Sequence, residues 1–189
     1  FTPHDEANHL SRLFGIADKL LGSKRYNNMN AAELFLLACG LYAHDWGMAV
    51  GNEELNFLRS GAKGELETDT FTSLDDESHH LEQFLELQGI HTTESDIFPN
   101  ISDEQLRIYI RQTHAWRSGV RTRSLFKSTG SSVPQALEKI CQGHWLSFAE
   151  LDDENRFSSV TGVLGHSVNL RAIALYVRLV DLFDISDDH

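Results

Sequence analysis

Apolar residues recur along most of the chain at the three-and-four spacing of helices buried on one face. Leu10, Leu13, Phe14, Ala17, Leu20 and Leu21 form the first such stripe. Thr2 as N-cap, Pro3 at the first helical position and acids in the first turn predict where that helix opens, and Gly22 where it stops. After a polar turn, Asn30 and Glu33 spell a capping box, and an almost unbroken apolar run follows to residue 43. Such a run predicts a helix buried through the middle of the domain, and it ends abruptly in His44 and Asp45. A third helix is predicted over residues 74–87, stopped by Gly89. Ser102 and Gln105 open a fourth, which carries Ile108, Ile110, His114, Trp116 and Val120. Pro134 starts a short helix closed by Gly143, with His144 just beyond it. From about Ser167 a strongly apolar last helix carries Asp181 and Asp184 near its end. Residues 47–73 show no sustained period and read as a long loop insert after the dyad, with room for short helical pieces, of the kind that serves as a functional lid or a mobile segment. Residues 90–101 read as another loop and 151–164 as an acidic, polar connection. No strand-type alternation and no internal repeat interrupts this pattern, so the expected fold class is all-α.

Length and composition narrow the picture without changing it. The 189 residues suit a single domain spanning 1–189, large enough for a real core. A start at Phe1, without an initiator Met or a signal pattern, and an end at Asp187-Asp188-His189 lead us to expect a fragment of a larger protein. No apolar run approaches the ~20 residues that span a bilayer, so no membrane partner is expected. The two cysteines, Cys39 and Cys141, lie in apolar helical contexts and read as buried free thiols in a reducing, cytoplasmic setting. A net charge of −12 opposes non-specific binding to nucleic acid, which depends on neutralising phosphates. Yet Arg107 to Lys127 holds six basic residues and no acidic one, a local balance expected of a phosphate-binding pocket.

Candidate chemistry centres on the ten histidines. Taken singly, His9, His114 or His144 is more simply a core imidazole resting on a carbonyl, and Asp181 a helix-terminal acid or the partner of Arg178. Taken together, separate helices or helix ends each offer a His or Asp from an apolar segment. Imidazole with carboxylate suits divalent transition metals (Mn, Fe, Co, Ni or Zn). One or two such ions would lower the pKa of a bound water and clamp a phosphoryl oxygen. The chemistry in view is phosphoester hydrolysis.

The order His9, His44-Asp45, His114, His144, Asp181 resembles the HD-domain metal-dependent phosphohydrolase superfamily, a helical bundle. Local strings carry the likeness further: N-H-L-S-R-L, A-H-D-W-G-M and R-L-V-D-L-F-D-I-S resemble its first-helix, dyad and last-helix motifs. F-T-P-H-D-E-A-N-H, R-Q-T-H-A-W-R-S and I-C-Q-G-H are similar to the HD-CE type, often found in bacteria ahead of a Hsp90-like ATPase module. The resemblance implies a first metal on His9, His44, Asp45 and Asp181. It implies Asp45 as the bridge to a second metal on His114 and His144. Arg117, one turn from His114, is then a candidate to bind the substrate phosphate, and Arg12 a weaker one. The G-Y-P signature of the cyclic-dinucleotide phosphodiesterases is absent, and Trp145 follows His144 where several members carry a second histidine. His79-His80 is the one adjacent pair of histidines. The implied function is hydrolysis of a nucleotide phosphoester or phosphoanhydride. The alternatives are a nuclease on single-stranded DNA or RNA, disfavoured by the charge, and a non-catalytic nucleotide- or metal-sensing module that regulates an adjacent, covalently linked ATPase.

Overall fold

The computed structural model describes residues 6–60, 74–87, 89, 101–155, 157–158 and 160–184. Among these the elements run α1 (Glu6–Tyr26), α2 (Ala31–Ala43), α3 (Asn52–Ser60), α4 (Leu74–Leu87), α5 (Asp103–Leu125), α6 (Ser132–Gly143), α7 (Phe148–Asp152), β1 (Thr161–Val163), β2 (His166–Val168) and α8 (Leu170–Phe183). The fold is an all-α bundle with one small hairpin. The Thr2-Pro3 helix start and the 90–100 loop lie outside the described residues.

The capping signals act as read. Asn30 accepts from the amides of Ala32 and Glu33, and Glu33 returns a carboxylate oxygen to the Asn30 amide at 3.1 Å. The same two side chains tie α2 to the far end of the chain, Glu33 accepting from Asn169 N–H and Asn30 donating to Ser167 O. Ser102 and Gln105 form the second predicted box. Gly22 breaks the helical geometry with φ +62°, but one further turn continues to Tyr26.

Two features differ from the sequence reading: α7, a short helix capped by Ser147, and a hairpin ahead of the last helix. The last helix begins at Leu170 with Asn169 as its cap, because residues 161–168 fold into an antiparallel hairpin turned by Leu164 and Gly165, both at positive φ. Three-residue strands are too short to show alternation, and Leu-Gly is not the Asn-Gly pair that signals such a turn. The insert after the dyad holds the short helical pieces expected of it, a 3₁₀ turn over Trp46–Met48 leading into α3, and residues 61–73 lie outside the description.

Among the described residues there are two apolar clusters. The larger joins α1, α2, α6 and α8 with the hairpin through residues such as Leu13, Leu36, Leu41, Leu137, Ile140, Val163 and Val177. The smaller joins α3 and α4 to the first half of α5 through Phe57, Leu58, Leu81, Phe84, Leu85 and Tyr109. Helix α5 belongs to this lobe at its start and to the main bundle further on, where it packs along α6. His114 sits in its middle.

Candidate metal centre

Four helices deliver the histidines. His44 and His144 are the C-caps of α2 and α6, His114 lies within α5, and His9 lies on α1. Helix C-termini carry partial negative charge from their unpaired carbonyls, so two helix ends meeting here favour a cation. Asp45 follows His44 directly, and Asp181 stands in the last turn of α8.

The ring nitrogens are sorted by their partners. His44 Nδ1 donates to Leu41 O at 3.0 Å, His114 Nδ1 to Arg111 O at 2.6 Å, and His144 Nδ1 to Cys141 O. A carbonyl only accepts, so each Nδ1 carries the proton and each neutral ring turns an Nε2 lone pair inward. His9 Nδ1 donates to Asp184 Oδ2 at 2.7 Å, and Asp184 is steadied in turn by Arg12 Nε at 2.9 Å. Such a carboxylate–histidine pair typically stands behind a metal-ligating imidazole.

What those lone pairs face decides the chemistry. The Nε2 atoms of His114 and His144 lie 3.0 Å apart, two lone pairs that repel unless a cation or a proton comes between them. His44 Nε2 is buried without a hydrogen-bond partner, although Asp181 Oδ1 approaches to 3.4 Å and Asp45 Oδ2 to 3.6 Å. Asp45 turns its other oxygen, Oδ1, toward His114 at 3.4 Å and His144 at 4.0 Å. Two triads with metal-ligand spacing share it: His9, His44 and Asp45, and Asp45, His114 and His144. Asp181 belongs to neither triad by distance but stands beside His44. The donor set fits a divalent transition metal.

Titration follows from the same packing. For His44, burial alone would lower the pKa, but the Asp181 carboxylate and then Asp45 raise it overall. His144 is pushed down to about 4 by burial, with the His44 and His114 rings adding to the shift. Burial would raise Asp181, yet the His44 beside it and the other two rings hold its carboxyl below the usual range.

A model of the HD-CE family matches the chain over residues 1–189. The chain belongs to the HD-CE family. No curated protein and no solved structure matches it. In this HD-CE domain the dyad is followed by a turn bolted to α5. Gly47 N–H donates to Ser118 Oγ at 2.7 Å, Arg117 Nε to Gly47 O at 2.9 Å, and an Arg121 guanidinium nitrogen to Trp46 O. A Cβ on Gly47 would fall on the His114 carbonyl oxygen and lie 2.8 Å from Arg117 Cβ, so only glycine fits.

The placement of Arg117 differs from that of a phosphate ligand. It is 2% exposed and pairs with Glu54 of α3, which also meets Arg121 at 3.1 Å. The basic run of the sequence is also met in part from α6, where Glu138 pairs with Arg123, while Arg107 has only Glu104 three residues before it on the same helix. A count of charge along the chain could not show acids brought in from other elements. Arg12, the weaker phosphate candidate, holds Asp184, and Arg178 reaches Leu146 O rather than Asp181. His80 lies against Trp116 with ring centres 4.0 Å apart and is in neither triad. Asp184, Glu54 and Ser118 are the participants that sequence reasoning did not assign.

Proposed function

We propose that this HD-CE domain is a metal-dependent phosphohydrolase that cleaves a nucleotide phosphoester or phosphoanhydride. The observation that carries this reading is the convergence of buried, lone-pair-bearing Nε2 atoms on the two oxygens of Asp45. His9, His44, Asp45 and Asp181 would hold a first ion, and Asp45, His114 and His144 a second. When bound, such ions supply Lewis acidity and a water acidic enough to lose its proton near neutrality.

The chain's own residues supply the setting. Buried imidazoles form the floor, each held in one tautomer by its Nδ1–H bond. Asp45 and Asp181, with side chains 44% and 36% exposed, form the side open to solvent and to an incoming phosphate. With Arg117 occupied by Glu54 and carboxylates on the open side, the negative charge of the substrate would be left to the ions.

The test is a screen of the protein loaded with Mn, Co, Ni or Zn against nucleoside mono-, di- and triphosphates, cyclic nucleotides and short oligonucleotides. Turnover of nucleotides is expected, with loss of both turnover and metal uptake in His44→Ala and Asp45→Ala while helical circular dichroism is kept. Failure of the wild-type chain to take up any of these ions would overturn the reading. Cleavage confined to oligonucleotides would make it a nuclease, and tight nucleotide binding without turnover a sensing module.

A further inference from the structure

We infer that Glu54 is a positioning residue for the metal centre, acting through Arg117, Arg121 and the turn over Trp46–Met48. The inference rests on the metal-binding reading above. Glu54 is almost fully buried, a rare state for a glutamate unless it is paired. Its carboxylate is shared by two guanidinium groups of α5, one on each oxygen. Those guanidinium groups each use another nitrogen to hold a carbonyl of the turn, Arg117 at Gly47 and Arg121 at Trp46. These are the two residues that follow Asp45. The turn is further pinned by Ser118 Oγ and by its contact with the His114 carbonyl.

One carboxylate thus fixes two arginines, the arginines fix two consecutive carbonyls, and the carbonyls fix the backbone that carries Asp45. The same turn of α5 carries His114. The relative placement of Asp45 and His114, the two groups that must share an ion, is therefore set by a side chain from α3. Helix α3 belongs to the smaller apolar cluster, so the docking of that lobe reports directly to the centre. Removing the Glu54 charge would take from both arginines the carboxylate they share and loosen their hold on the turn. Outer groups of this kind are worth about 10–100-fold in metal affinity.

The experiment compares Glu54→Gln with Leu85→Ala. Leu85 is fully buried in the same lobe, and its side chain has no polar group to offer the turn, so L85A loosens the lobe by packing alone. Binding of Zn or Mn alone is measured by calorimetry, and exchange of the Gly47 amide is followed in the metal-free protein. At equal loss of melting temperature, E54Q is expected to lower metal affinity about 10–100-fold and to speed Gly47 exchange, with L85A doing neither to that extent. Equal effects from the two variants, or no effect from E54Q, would overturn the inference. Should E54Q not fold, Glu54→Asp, which keeps the charge on a shorter stem, takes its place and is required to show the same split. If the wild-type chain binds no divalent ion, the proposed function fails, and the exchange comparison still decides whether Glu54 positions the turn.

Discussion

At the scale of single residues, the centre is defined by which nitrogen of each ring is already spent. The bland reading of a core histidine on a carbonyl holds in part for His114 and His144, which make that bond through Nδ1, as His44 also does. Only the structure shows the three Nε2 atoms turned toward one another. His9 differs, its Nδ1 held by the Asp184 carboxylate instead of a carbonyl. Asp184→Asn would keep the shape but lose the charge that orients the ring, and we expect metal affinity to fall about tenfold or more. Titration calorimetry on D184N measures this directly. In the metal-free protein the rings titrate apart. The His44 midpoint is expected above the usual 6.5 and that of His144 at about 4, as read from histidine ring resonances by NMR. The signs for stability are opposite. An unfolded His144 takes its proton near pH 6.5 and the folded one near 4, so acidification through that window disfavours the native state. His44, raised by folding, contributes stability that is present below 6.5 and lost as pH rises through its folded value.

At the scale of elements, the packing of α2 against α6 and α8 sets where the dyad emerges. Gly40 lies one turn before His44 and accepts its backbone N–H. A Cβ there would lie 2.8 Å from Ile140 Cγ2 and 3.1 Å from Val177 Cγ2. Replacing a helical glycine by alanine ordinarily gains roughly 0.5–1 kcal/mol from backbone entropy, whereas overpacking a core costs about 1–3 kcal/mol. Overpacking wins, so Gly40→Ala should lower stability by about 1–2 kcal/mol in chemical denaturation, a stabilised variant being the contrary result. The six longer helices were legible because amphipathic stripes and capping boxes are local signals, whereas the five-residue α7 is too short to show a stripe. The α4 bounds, the Asn30 and Ser102 caps and the apolar α2 all follow from residues within one turn of each other. The hairpin was not legible, because its strands are too short to alternate. The role of α3 was hidden for a different reason. Its buried glutamate has meaning only against Arg117 and Arg121, more than sixty residues away in sequence. In the same way the candidate ligands stand out by their motifs, while the ion pair of Arg117 and the support of His9 by Asp184 are tertiary facts.

At the scale of the whole molecule, the charge balance separates a small-substrate enzyme from a polyanion binder. The chain carries a formal −12, and four of the six basic residues between Arg107 and Lys127 are met by Glu54, Glu104 or Glu138. Three carboxylates therefore offset part of the local positive charge that the sequence suggested. Among the described residues no helix is long and apolar enough to cross a membrane. An anionic nucleotide approaching this chain meets long-range repulsion and is held only at short range. The Debye length shrinks from about 30 Å at 0.01 M salt to about 8 Å at 0.15 M, which screens the repulsion but leaves contacts within the centre largely intact. The association rate of a nucleoside phosphate with the metal-loaded protein should therefore rise with salt across that range. A chain that binds through phosphate neutralisation does the opposite, its affinity falling steeply as salt is added. Stopped-flow binding of a fluorescent nucleotide and of a short single-stranded oligonucleotide, each at the two salt concentrations, reads the sign directly. Both ligands should bind faster at the higher salt, the oligonucleotide by the larger factor because it brings more charge into the same field. An oligonucleotide that binds more weakly at the higher salt would place a basic groove somewhere on this chain and move the assignment toward a nuclease.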